Sequence, residues 1–244
     1  MEKIFNKKSI IVSLVLVSML FAPIQSFASN GGSTSICPKI SKVESDIKKE
    51  QAKIKEEVQK SREKRTEDIK AEWAKRDGQF DQERNRVDSI YKNFVLSLKA
   101  KAQTDTDKKA VDAFEKTLFA LLSDARNKTD AVWKKYEDET LLSLSRQDTS
   151  SETYFKEIES ESNGRLGTVK TLCTGLFEEK IKDELDNIKK MKDRGMAKSS
   201  FLRKSKLEIS QLTTTRNKQI EVIKKELSQK IIEAYNALPS NLRK

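Results

Sequence analysis

Apolar residues recur along this chain at intervals of mostly three and four, in two stretches that mirror each other. The first runs Ile36, Ile40, Val43, Ile47 and Ile54, lapses into a polar stretch from Gln59 to Asp68, and resumes as Ile69, Trp73, Phe80, Val87, Ile90, Phe94 and Leu98. The second carries Val111, Phe114, Leu118, Leu121, Ala125, Val132 and Tyr136, weakens through 148–152 and 162–164, and recovers at Leu166, Val169 and Leu172. A narrow stripe of this period is the seam of a coiled-coil-like helix. A first helix is therefore predicted from Pro38 to Ala102, roughly 100 Å long at the usual rise per residue, and a return arm of one bent helix or two nearly collinear ones reaching Cys173.

The two stripes fit an antiparallel hairpin. Residue numbers of facing pairs sum to a near-constant value: Phe94 with Phe114, Ile90 with Leu118 and Val87 with Leu121 give 208, while Leu98 with Val111, Ile40 with Val169 and Val43 with Leu166 give 209. Half of 208 falls on Thr104, inside Gln103-Thr104-Asp105-Thr106-Asp107, a strong turn-and-cap signal. Trp73 and Trp133, which sum to 206, are expected near one level. Apolar matching alone allows several registers seven residues apart. The pair Cys37 and Cys173, which sum to 210, selects the same one independently.

Beyond Cys173 the pattern continues through Leu176, Ile181, Leu185, Ile188 and Met191, turns near 195–198, and returns from about Ser199 to Leu238. Pairing Met191 with Leu202 and Ile181 with Leu212 predicts a second, shorter hairpin over 174–238, followed by a tail over 239–244. The last helix is the longer partner, so its residues after Ile220 are expected beside the disulfide base of the first hairpin. The fold class is all-α, with the long hairpin over 37–173.

The beginning of the chain changes the cellular picture. Lys3, Lys7 and Lys8 precede an apolar run from Ile10 to Ala22, and Ser26-Phe27-Ala28 offers small residues for cleavage after Ala28. That is a signal-peptide pattern over 1–28, with a flexible linker over 29–36. An uncleaved anchor is the alternative, but the run is short for a spanning helix. No second apolar segment of spanning length follows, so a soluble mature chain is expected, exported to the periplasm, the cell surface or the medium. In an exported chain two cysteines favour a disulfide over two buried free thiols. Closing a loop of 136 residues, it would contribute up to about 5 kcal/mol in the chain-entropy model.

Composition supports an elongated rather than globular chain: 36% charged, 36% hydrophobic, seven glycines and three prolines, none of the prolines between Pro38 and Pro239. It also narrows the chemistry. With no histidine, and two cysteines expected in a disulfide, the usual general base, thiolate and zinc ligands are missing. Carboxylates alternate with lysines as on a solvated helix face. No catalytic, cofactor-binding or metal-ligating residues are assigned, no cofactor is expected, and the chain is read as a non-enzyme.

The net charge of +11 is unevenly spread. The signal supplies +3 − 1 = +2 and residues 195–244 supply +11 − 4 = +7, leaving +2 for residues 29–194. The basic excess of the last helix comes from Lys198, Arg203, Lys204, Lys206, Arg216, Lys218, Lys224 and Lys225, a candidate surface for an anionic polymer or lipid. A plain solvated face is the alternative. Phe201 and Tyr235 are the stretch's only aromatic residues, which argues against base stacking and against nucleic acid as the partner.

The signal peptide, Ile36-Cys37-Pro38-Lys39-Ile40 opening a long charged helix, and Thr168-Val169-Lys170-Thr171-Leu172-Cys173 far downstream give a layout that resembles uncharacterised secreted, two-cysteine, long-helix proteins of candidate-phyla (Patescibacteria-type) bacteria. The chain is poorer in alanine and arginine than that group and lacks its longer loop after the second cysteine. The resemblance implies no activity. Export, basic charge and long helical arms also give a general likeness to the periplasmic holding chaperone Skp, without its strand-rich body. The expected role is a structural or protein-binding one in the envelope or at the cell surface, with another envelope protein, or a second copy covering exposed seam residues, as partner.

Overall fold

The computed structural model describes residues 37–243 except 176, 198 and 199; the side chains of 50, 54, 189, 190 and 192–205 also lie outside the described set. The expected signal peptide, the linker, and the Met191–Leu202 pairing all involve residues beyond it. Every regular element described is helical: a 3-10 turn over Cys37–Lys39, then α1 (Ile40–Lys101), α2 (Asp105–Leu172), α3 (Glu178–Ala197) and α4 (Ser200–Asn236). The chain is all-α, built on an antiparallel helical hairpin of α1 and α2.

Local chemistry explains the boundaries. At the start of α2, Thr104 Oγ1 accepts from the Asp107 N–H (3.1 Å) and Asp107 Oδ2 accepts from the Thr104 N–H (3.4 Å). This reciprocal box satisfies donors that the first helical turn leaves free. Asp105 and Asp107 lie at the positive end of the α2 dipole, and Lys99 and Lys101 at the negative end of α1. α2 continues unbroken through Asn163-Gly164, because Gly in a helix costs only about 1 kcal/mol and tertiary packing offsets it. After Leu172 the chain tightens, with Gly175 N–H donating to the Leu172 carbonyl (3.1 Å). A β-carbon on Gly175 would come within 2.6 Å of the Phe177 ring, so a larger residue there would have to push that half-exposed ring aside. Gly195, expected in the second turn, is still inside α3.

The chain divides into two compact units. The first takes residues up to 69 together with 144–205. Its core joins Ile40, Leu166 and Val169 of the hairpin to Ile181, Ile188 and Met191 of α3, with Cys37, Ile47, Leu172, Cys173 and Leu185 against it. The Cys37–Cys173 disulfide ties this core, with Cα atoms 5.4 Å apart. Arg165 of α2 reaches Glu184 of α3 at 2.8 Å.

The second unit takes 70–143 and 206–244. Val95 and Leu98 of α1, Ala102 just after it, Val111, Phe114, Leu118 and Leu122 of α2, and Leu238 and Leu242 form its buried core, and Leu227, Ile231, Ala234 and Tyr235 pack on it. Each such aliphatic side chain, fully buried, contributes about 1.5–3 kcal/mol.

Three expectations are corrected. The residues after Ile220 do not end beside the disulfide; Leu227 to Leu242 pack around the α1–α2 turn, where Asn241 Nδ2 donates to Asp107 Oδ2 (3.2 Å). At the disulfide the apolar face of the hairpin is already covered by α3. Ile90 is not a seam residue but 51% exposed, while Val95, absent from the expected seam, is buried. With α4 as a second neighbour, the buried face of α1 is wider than a two-helix stripe and turned toward Val95. Finally, Trp133 finds Phe80, with ring centroids 5.6 Å apart, one heptad along from the expected Trp73. The Phe94–Phe114 pairing is observed, with edge-on rings 6.2 Å apart.

Candidate functional site

The chemistry of this chain is spread along helix faces, and its densest constellation lies in the second unit, around Trp133 of α2. Heptad spacing places Arg76 and Phe80 on one face of α1, and Trp133, Tyr136 and Glu137 on one face of α2. Arg76 is buried; its guanidinium carbon lies 4.1 Å from the Trp133 ring centre and 5.7 Å from that of Phe80. It donates to Glu137 across the hairpin and to Asp77 on its own helix. α4 completes the layer: Arg216 sits 4.1 Å from Trp133 and 4.5 Å from Tyr136, and the Tyr136 and Thr213 hydroxyls approach to 3.4 Å. One turn of α4 earlier, the Ser143 hydroxyl donates to Glu208 at 2.8 Å.

This is a polar layer inside a helical bundle, tying α1, α2 and α4 together through side chains. A guanidinium over an indole face is held by the ring quadrupole, and more strongly where water is excluded. Burial pushes the Arg216 guanidinium below its usual range, and the nearby Arg76 charge acts the same way. Arg76 Nη1 and Thr140 Oγ1 are buried without a hydrogen-bond partner. Such groups cost the folded layer free energy, and its ion pairs and ring contacts offset that cost.

Ion pairs decorate both units. In the first, Arg62 and Arg65 of α1 converge on Asp148 of α2, with Arg65 Nη2 donating to Asp148 Oδ2 at 2.7 Å. The polar stretch of α1 therefore meets the weak stretch of α2, and each is polar because of the other. Lys55–Glu159 at 2.8 Å and Lys170–Glu44 cross the hairpin in the same unit. In the second, Arg126 grips Asp88 through two hydrogen bonds, of 3.0 and 2.5 Å, and Lys99 reaches Glu115 at 2.6 Å. The Arg126 guanidinium holds the Asp88 carboxyl below its ordinary range.

The basic residues singled out in the sequence meet different fates. Lys198 and the side chains of Arg203 and Lys204 lie outside the described set. Lys206, Lys218 and Lys224 are exposed, Lys225 pairs with Glu221 on its own helix (3.2 Å), and Arg216 is committed to Trp133 and Tyr136. The aromatic–arginine layer was missed in the sequence; its signal was the recurrence of Arg and aromatic residues at three- and four-residue spacing on the seam. Among the described residues no group of three or more Cys, Asp or Glu is arranged to hold a metal ion, and no helix is long and apolar enough to cross a membrane. No protein family, curated protein or solved structure matches the chain.

Proposed function

We propose that the protein is an exported, non-enzymatic helical scaffold with a structural or protein-binding role in the bacterial envelope or at the cell surface. The observation that carries this reading is the Cys37–Cys173 disulfide, which joins α1 to α2 across 136 residues of sequence. A bond of that kind suits an oxidising compartment, in keeping with the signal-like start of the chain. A hairpin tied at the start of one helix and the end of the other presents long charged faces in a fixed register, which suits holding a partner. Exposed apolar side chains, Leu96 and Leu142 on the hairpin and Leu207 on α4, favour contact with protein.

The test is crosslinking of the mature protein in its own cells, followed by mass spectrometry of what is captured. One or two stoichiometric envelope partners are the expected result. A broad set of unfolded exported clients would replace this reading with that of a holding chaperone. Capture that vanishes with moderate salt, together with binding to anionic polymer or lipid, would move the function to the basic residues of α4.

A further inference from the structure

α4 has a second face. Its inner stripe, including Ile223, Leu227 and Ile231, packs toward its own unit, but from Leu207 to Ile232 exposed residues also recur at alternating intervals of four and three on the outer side. Both ends of that outer stripe are apolar and open to solvent, Leu207 at 57% and Ile232 at 54% exposure. Its centre is charged, with Lys218, Glu221 and Lys225.

We propose that a second copy of this chain docks antiparallel along this outer face of α4, about a two-fold axis near Gln219 and Ile220. In that arrangement Leu207 meets the partner copy's Ile232 at both ends, covering the two exposed aliphatic residues. Lys218 meets Glu221 of the other copy, twice, and Thr214 meets Lys225. A parallel pairing would set lysine against lysine and glutamate against glutamate at the centre, so the charge pattern selects the antiparallel one. The contact is isologous, each copy offering the same surface, and therefore closes at two. Glu221 already pairs with Lys225 in its own chain, through side chains 67% and 75% exposed, so the partner's Lys218 joins an accessible network. A single helix-on-helix contact with apolar side chains only at its ends is small beside the roughly 1,200 Å² at the low end of specific interfaces, so a weak, concentration-dependent dimer is expected.

The test is sedimentation equilibrium of the mature, disulfide-bonded protein with K218E, E221K and the double swap K218E/E221K. These side chains are exposed, and circular dichroism checks that helix content is unchanged. Wild type is expected to dimerise at about tens of micromolar, and each single variant to weaken the dimer at least about tenfold by facing like charges twice. The double swap is expected to restore it. A wild-type protein that stays monomeric to about 200 μM, well above the expected range, overturns the proposal. So does a dimer indifferent to the single variants, or one that the swap fails to rescue.

Discussion

Arg216 of α4 and Trp133 of α2 stand with guanidinium carbon and ring centre 4.1 Å apart, and Arg76 of α1 reaches the same ring from its own helix at the same distance. One indole thus touches cations from two other helices. Truncating Arg216 removes its cation–π contacts with Trp133 and Tyr136 and the packing of its half-buried side chain. Arg216→Ala is expected to destabilise the second unit by about 1–2 kcal/mol. Arg216→Lys should recover only part of this, because an ammonium cannot stack as a planar guanidinium does. Urea unfolding followed by circular dichroism measures both; equal stability of the Lys variant and wild type would show that charge alone acts there.

The disulfide yields the largest expected effect. Cys37→Ser with Cys173→Ser should lower stability by up to about 5 kcal/mol, mainly through the freedom regained by the unfolded chain. Hydrogen exchange should locate the loss in the first unit, at residues 40–47 and 166–191 around the Ile40–Leu166–Val169 core, with slower exchange retained around Val111 and Leu118. Uniform loosening of both units would mean that they unfold as one.

The hairpin was legible in the sequence because its evidence was redundant. Phe94 opposite Phe114, the turn at Thr104 and the cysteine pair all pointed to one register, and each constrains the same antiparallel geometry. The third helix in each unit was harder to place. Ile90 and Val95 are both apolar and close in sequence, and only the position of α4 decides that Val95 is inside. The stripe of α4 announces that it must pack somewhere but carries no mark of where. Trp133 shows the same limit: a heptad seam accepts Trp73 or Phe80 opposite it, and the choice falls to Arg76 and Glu137, whose pairing is a matter of three-dimensional chemistry.

Acid should loosen the first unit through Glu44. Hydrogen bonds from Lys170 across the hairpin and from Lys48 on the same helix lower its carboxyl pKa to about 2. The folded pKa is depressed below the unfolded one, so the stabilisation is fully present above about pH 4.5 and is lost as the pH falls toward 2. Nuclear magnetic resonance titration should find the Glu44 carboxylate still ionised at pH 3.5. Glu44→Gln should flatten the part of the stability profile between those limits, and an unchanged profile would show that the pair contributes nothing net.

Leu238 and Leu242, on either side of Pro239, belong to the core of the second unit. Leu242 is 1% exposed, lies among the buried residues that include Val95, Leu98, Val111 and Phe114, and is held by a turn in which its N–H donates to the Pro239 carbonyl at 3.0 Å. Asn241 beside it donates to Asp107, which also caps α2 through Thr104, and these bonds keep the Asp107 carboxyl below its ordinary range, the Thr104 hydrogen bond most of all. Pro239 ends the α4 pattern, and sequence alone makes residues 239–244 a tail; the structure packs Leu242 into the core at the α1–α2 turn and bonds Asn241 to Asp107. Leu242→Ala should cost about 2–4 kcal/mol, as for a buried leucine whose cavity cannot collapse. Asn241→Ala should cost about 1 kcal/mol, as for one hydrogen bond to a charged acceptor at a partly exposed site. Stopping the chain after Ser240 should cost at least as much as both, and thermal unfolding of the three variants measures the order. A truncated chain as stable as wild type would return residues 241–244 to the status of a tail.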